Sequence, residues 1–329
     1  MGMIRRRTFL RRAFLAGAAA ALSAGPARAQ AVYPNRPIRL IVPFPPGGPL
    51  DVMGRLIAQR LSTTLGQVFV DNKPGAGGTL AGREAARSDP DGYTLLMGSS
   101  AALAIGPALY RENTGYDPLK SFVPVAMVSS VPYVMIAAAN TPFKTVQEVL
   151  AHAKANPGEL NFGVPNGAPP HMLAEMFKMN TGANIVTVPY RGASTLITDM
   201  LAGRLQLGFE TTSVMFGHLH EGKIRGLAVL RDKRLTELPD MPTMVESGVK
   251  DVIGSSWSGI VAPSGTPPEI VAKLRNEIVA GLRAPEVADR LKVMAADAVF
   301  MSQDEMAKFL ADEYHRIGSI MRAANLKAD

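Results

Sequence analysis

Apolar and polar positions along the chain fall into blocks. Residues 38–44, IRLIVPF, form an almost unbroken apolar run, and QVFVDN (67–72) and YTLLMGSS (93–100) repeat the habit. Short continuous runs of this kind predict strands buried on both faces, as in a parallel sheet. Between the first two, Val52, Met53, Leu56, Ile57 and Leu61 recur at the spacing that gathers side chains on one helix face. The order strand, helix, strand, helix, strand predicts a parallel sheet with helices packed on it.

A second series opens with VPVAMVSSVPYVMIAA (123–138). Thr145 and Glu148 are spaced as a capping box at the start of a helix, which Asn156-Pro157-Gly158 stops. Strands are predicted at 160–164, 184–190, 205–210 and 224–230, with helices at about 170–180, 193–202 and 212–221. In the last third, Thr266–Glu269 and Ser302–Glu305 have capping-box spacing, each ahead of a helix with an apolar stripe. The pattern shows no repeat, no low-complexity tract and no linker that would cut the chain into consecutive domains. A discontinuous division is more economical: residues 32–131 and 254–329 build one lobe and 132–253 a second, with crossings near 125–135 and 252–262.

The N-terminus changes the charge picture. It has a basic start, an apolar run from Ala13 to Leu22 and small residues around Ala27-Arg28-Ala29. This is the pattern of a secretory signal peptide covering residues 1–31, the apolar run being too short to span a bilayer. Arg6-Arg7 before Thr8, Phe9, Leu10 and Arg11 resembles the twin-arginine export motif, with the general secretory route as the alternative. Cleavage after Ala29 or Ala31 satisfies the small-x-small rule. The segment holds six arginines and no acid, so its loss lowers the formal net charge from +7 to +1. The basic balance therefore argues for export to the periplasm and against a nucleic-acid partner. Absence of cysteine excludes disulfides, zinc–cysteine sites and a thiol nucleophile.

Candidate chemistry lies mostly in turns. Three times a strand runs through small residues into a helix: PPGG (45–48), KPGAGG (73–78) and GSSAALAIG (98–106). Ligands of open parallel sheets bind at the carboxyl ends of strands, where helix N-termini offer unpaired N–H groups to anions. Gly47 and Gly48 either let backbone approach a ligand or only make a tight turn. GAGGTL lacks the third glycine of a dinucleotide fingerprint, and no phosphate-loop or nucleophile-elbow string occurs. His218 and His220 lack the i, i+4 spacing of a helical metal pair, so neither metal nor cofactor is expected. Asp51 either steadies a helix dipole or faces the site. Glu210 is a solvated strand end or a cleft-facing acid, Arg191 a carboxylate clamp or a surface cation, and Trp257 packing at the return crossing.

The strings YPNRPIRLIVPFPPGGPLD, VDNKPGAGGTLAG, PDGYTLLMGSS, GPALY, VPYRG, LPDMPTMVESG and SSWSGIVAPSGTP resemble, in order and spacing, the Bug-type receptors of tripartite tricarboxylate transporters. The resemblance runs from about Tyr33 to the C-terminus. It implies an α/β two-lobed periplasmic binding fold of the type II kind, each lobe a mostly parallel sheet flanked by helices with a cleft between. It further implies a monomeric receptor, not an enzyme, that captures a small organic carboxylate and delivers it to membrane permease subunits. A receptor for a signalling system and an exported enzyme acting on a carboxylate are the alternatives. By the family's pattern the ligand is held at the first loop by Phe44, Gly47, Gly48 and Asp51, and at the third by Ser99 and Ser100. On the second lobe GVPNGAPPH supplies Asn166, Gly167 and His171, the last more a helix-start residue than a base. Two prolines stand where serines are common in the family, so fewer donors face the ligand from that side. Glu210 follows Phe209 where the family often has aspartate, and the extra methylene implies a different pocket size or ligand polarity.

Overall fold

The computed structural model describes residues 33–110, 113–165 and 168–323. The segment expected to be a signal peptide, and Asn166 and Gly167, lie outside the described residues. From Arg36 onward the chain forms one compact unit, distinct from the first 35 residues.

Strand β1 (Ile38–Val42) is buried along nearly its whole length, as its continuous apolar run requires. Helix α1 (Pro49–Leu65) buries Met53, Ile57 and Leu61, a stripe at fourfold spacing, while Val52 and Leu56 sit half-buried at its margin. The helix lies close on the strand: a Cβ on Gly54 would stand 2.9 Å from a Val42 methyl carbon. Strands β2 (Val68–Asn72) and β3 (Thr94–Ser99) pair parallel to β1 on either side, with α2 (Thr79–Ala86) between them in sequence. A single π-helical turn at Ala101–Ile105 and the short α3 (Gly106–Leu109) follow β3.

Strand β4 runs from Phe122 to Ala138, 17 residues, and is the longest described strand. Its first part pairs antiparallel with β9 (Ser255–Pro263), its last part antiparallel with β7 (Leu207–Thr211) on one side and β8 (Ile224–Val229) on the other. Beyond β7 lie β5 (Asn161–Pro165) and β6 (Val186–Tyr190), both parallel-paired. Helices α4 (Val146–Ala155), α5 (Pro169–Thr181), α6 (Ala193–Leu201) and α7 (Thr212–His220) connect these strands. The strand order is β2-β1-β3-β9-β4-β7-β5-β6, with β8 and the short β10 (Asp297–Ala298) both on β4. The sheet is therefore mixed: parallel toward its two ends, antiparallel where β4 and β9 pass through its middle. Antiparallel pairing there follows from direction, since β9 must run back along the strand that carried the chain out.

Helices α8 (Pro268–Leu282), α9 (Pro285–Val293) and α10 (Gln303–Ala323) close the chain. The capping boxes at Thr145–Glu148 and Ser302–Glu305 form. The one expected at Thr266–Glu269 does not. Pro267 occupies the cap, so Glu269 falls one position too early to reach back, and the Thr266 hydroxyl donates instead to Pro263 O at 2.7 Å.

Two buried clusters, one around Phe162, Phe177 and Phe209 and one around Leu196, Met200 and Met215, pack the opposite faces of the β5–β8 region. A third, with Ile41, Leu96, Trp257 and Met306, belongs to the β1–β3 and β9 region. A fourth joins Ala104 and Ile105 to Met172 of α5 and to Ile317, Ile320 and Met321 of α10. Among the described residues no helix is long and apolar enough to cross a membrane.

Candidate functional site

At the carboxyl ends of β1 and β3 lies a cavity of about 540 Å³. Loop residues Phe44, Pro45, Pro46 and Gly48 and the first turn of α1 form one wall, and Ser99, Ser100 and Ala101 form the adjoining end. Strands β4 and β9 supply the floor. Ser129, Val131 and Tyr133 on one, and Ser256 and Ser258 on the other, reach it by strand alternation. The register pairs Ser129 with Ser258 and Val131 with Ser256, which puts these residues on one face. Ser130, Pro132 and Ser255 face the other way and line a second cavity of about 470 Å³. Trp257 borders both cavities.

The proline–glycine turn has a definite mechanical logic. Gly47 sits at φ +86°, a left-handed conformation in which a Cβ is strained. Its amide donates to Asp51 Oδ2 at 2.8 Å. The same carboxylate, 2% exposed, accepts from Arg55 Nε at 2.9 Å and from Asn72 Nδ2 at 2.8 Å. Asn72 also donates to Phe44 O at 3.0 Å. Burial pushes the Asp51 carboxyl up, but the hydrogen bonds from Arg55, Gly47 and Asn72 outweigh it and hold the group below its ordinary range. Asp51 thus clamps loop, helix and β2 together, and neither it nor Gly47 lines the cavity. Gly48, at φ −74°, does line it. With proline at the first helical position, the amides of Leu50 and Asp51 in the first turn have no acceptor within their own helix.

The second glycine turn, 73–78, does not reach the cavity. Gly78, at φ +91°, packs so tightly that a Cβ would stand 3.2 Å from both Pro43 and Ala102, so this turn buttresses the two loops that do line it. Ser99 and Ser100 are 8% and 5% exposed. Ser99 Oγ lies 3.5 Å from the Ala102 amide, and the Ser100 hydroxyl has no hydrogen-bond partner among the described residues.

His171 is buried on α5 outside the cavity, with Nε2 4.0 Å from Glu175 Oε1. Burial lowers its pKa against the pull of Glu175, and Lys178 adds to the lowering. Its neighbour Pro169 is the α5 residue that lines the cavity. Glu210 is also buried, and its Oε1 accepts from Thr211 N at 2.7 Å and Thr211 Oγ1 at 3.2 Å. The register sets Thr211 beside Tyr133 and Glu210 beside Val134, so Glu210 leaves the sheet on the face opposite Tyr133. Burial raises its carboxyl pKa, with the Thr211 contacts opposing. Burial likewise pushes the Tyr133 phenol up, Glu210 adding to the effect and a hydrogen bond with Ser256 opposing it. Arg191 is exposed at the start of the α6 turn.

Of the ten residues singled out from sequence, Phe44, Gly48, Ser99 and Ser100 come together at one cavity. Asp51 and Gly47 stand behind its wall, His171 and Glu210 lie elsewhere, and Asn166 and Gly167 are not described. The floor serines, Tyr133, Pro169 and Met294 were missed. A signal existed in SSVPY and SSWS: serines interrupt strands otherwise built for the core, on alternate positions. Among the described residues no group of three or more His, Asp or Glu could hold a metal ion.

A mixed α/β sheet with a cavity at strand ends, floored by two crossing strands, is an architecture that can enclose a small solute. Residues 53–326 match the model of the tripartite tricarboxylate transporter family receptor, and the chain belongs to that family. It is 38% identical to protein BugT of Bordetella pertussis over 315 residues, covering 95% of this chain and 94% of BugT. The solved periplasmic binding protein BugD is similar at 33% identity with a TM-score of 0.74, covering 90% of this chain and 100% of that one. Rpa4515 of R. palustris, solved with adipate, is 34% identical with a TM-score of 0.76, over 89% of this chain and 98% of its own.

Proposed function

We propose that the chain captures a small organic carboxylate in the cavity at the ends of β1 and β3 and presents it to the membrane subunits of its transporter. The observation that carries this is the convergence of Ser99, Ser100 and the first turn of α1 on one end of that cavity. Two nearly buried hydroxyls and a helix N-terminus are a donor set suited to an anion. The adipate in Rpa4515 supports the same ligand class.

In this reading the N-terminal segment is removed after Ala29 or Ala31 on export to the periplasm, by the twin-arginine route, and the mature receptor works as a monomer. Residues 32–131 with 254–329 act as one lobe and 132–253 as the other. Strands β4 and β9 are the crossings about which they move. Binding without turnover is the expected behaviour.

Titration calorimetry and thermal unfolding with a panel of carboxylic acids test the proposal. A ligand at about 100 times its dissociation constant adds about 2.7 kcal/mol of stability, which raises the melting temperature by several degrees. Chemical conversion of a bound acid would instead point to an enzyme. Failure of every acid to bind would overturn the carboxylate reading.

A further inference from the structure

We infer that Thr212 is a positioning residue: through Ala295 O it ties the two lobes together and holds Met294 in the wall of the cavity. The inference rests on the two-lobe reading above and gives it a latch.

Four observations converge on the short segment that follows α9. Met294 lines the cavity. The Ala295 carbonyl accepts from Oγ1 of Thr212, the first residue of α7, at 3.1 Å. Asp297 pairs at 2.8 Å with Arg231, which follows β8. Asp297 and Ala298 lie beside Ser130 and Ser129 of β4. By the division at 132–253, Thr212 and Arg231 belong to one lobe and residues 294–298 to the other. The segment therefore runs from the cavity to the crossing strand and is fastened to the second lobe on the way.

The two fastenings are unequal. Arg231 and Asp297 keep much of their side chains in water, where an ion pair contributes little. Thr212 is 0% and Ala295 8% exposed, so loss of their bond would strand a buried carbonyl unless the lobes part and admit water. The apolar cluster between α5 and α10 also spans the lobes, but apolar contact is non-directional and survives sliding. A hydrogen bond holds a narrow geometry, so the Thr212 hydroxyl fixes what the cluster leaves free.

The backbone at Ala295 points the same way. Its φ of +45° is left-handed, a conformation in which a Cβ is strained. Ala295 N donates to Lys292 O and Ala296 N to Leu291 O, both at 2.9 Å, the pattern that ends a helix on a left-handed residue, usually glycine. Strain of this kind persists where the surroundings fix the residue, and the bond from Thr212 is part of what fixes this one. Met294, one residue earlier, keeps its place in the wall by the same turn.

The test exploits the absence of cysteine from the chain. Lys154→Cys on α4 and Asn276→Cys on α8, both exposed and one in each lobe, carry spin labels on the mature protein, and pulsed electron resonance reads the distance between them. Without added acid the labelled parent should show one main distance. Thr212→Val, which keeps the shape and loses the donor, should enlarge a second, distinct population about tenfold, the equivalent of about 1.4 kcal/mol. Thr212→Ser should restore the parent distribution. Thermal unfolding checks that the variants are folded, and Thr212→Ala replaces the valine variant if that one does not fold. A folded variant without the hydroxyl whose distances match the parent would overturn the inference, as would a serine variant that behaves like valine. Excess adipate separates the latch from the lobe reading. A distance that adipate changes and Thr212→Val does not would remove the latch and leave lobe motion standing, whereas distances that neither changes count against both.

Discussion

Asp51 shows how a residue can serve a site without touching it. Its carboxylate fixes the Gly47 amide, the Arg55 guanidinium and the Asn72 amide, and through Asn72 the Phe44 carbonyl. Hydrogen bonds to a charged group contribute about 1.5–3 kcal/mol. Asp51→Asn keeps the shape but loses the charge and one acceptor, and should destabilise the fold by about 1–3 kcal/mol in urea unfolding at pH 7. Because the folded-state pKa is lowered, this contribution is present above the unfolded value of about 3.9 and is lost as pH falls through the folded value. The difference between wild type and variant should therefore shrink below about pH 4. A difference that held constant into acid would mean that the charge of Asp51 is not what stabilises the loop. Ligand affinity should change little, since Asp51 does not line the cavity.

At the scale of elements, the turn between β1 and α1 joins two opposite requirements. Gly47 must be glycine for its φ of +86°, whereas Gly48 has an ordinary φ of −74°, and a Cβ placed there would meet only Pro45 O, at 3.7 Å. Gly47→Ala should cost about 1–2 kcal/mol of stability, the usual penalty for a left-handed residue with a Cβ. Gly48→Val should leave the fold largely intact and abolish most binding by filling the cavity wall. A folded Gly48→Val protein with unchanged affinity would remove this turn from the site. Most elements were legible because their signals are local: apolar runs for β1 to β3, fourfold spacing for α1, capping boxes for α4 and α10. Thr266 misled because a proline between it and Glu269 moved the cap by one residue, which spacing alone does not reveal. Ser99 and Ser100 were legible as the end of a strand in a parallel unit. The floor of the cavity was not, because Ser129 and Ser258 are far apart in sequence and meet only through the antiparallel register of β4 and β9. His171 followed family position and Glu210 the expected end of a strand, and their burial depends on helix rotation and strand register that a single sequence leaves open.

At the scale of the whole molecule, the proposed closure must pass through the β4–β9 ribbon and past α10. The ribbon is irregular on the β1–β3 side, where the register shifts between Pro124 and Ala126 and again between Met127 and Ser129. Such interruptions bend a strand pair more readily than an unbroken ladder. Motion is restrained by the cluster in which Met172 packs against Ile317, Ile320 and Met321, and by Arg316 Nη1, 3.3 Å from the Met176 sulfur. A pair of lobes held by such a contact should hinge through a small angle, with α10 sliding on α5. Trp257 is the natural reporter. Its indole donates to Glu313 Oε2 on α10 at 3.3 Å, its ring packs edge-on against Phe309 at 5.4 Å, and it borders both cavities. Saturating ligand should therefore shift its emission and slightly reduce the radius of gyration in small-angle scattering. Trp257→Phe, which keeps an aromatic ring against Phe309, should abolish the emission change while retaining the change in radius. An emission shift with no change in radius at saturation would mean that ligand contacts the indole directly and that the two halves do not close.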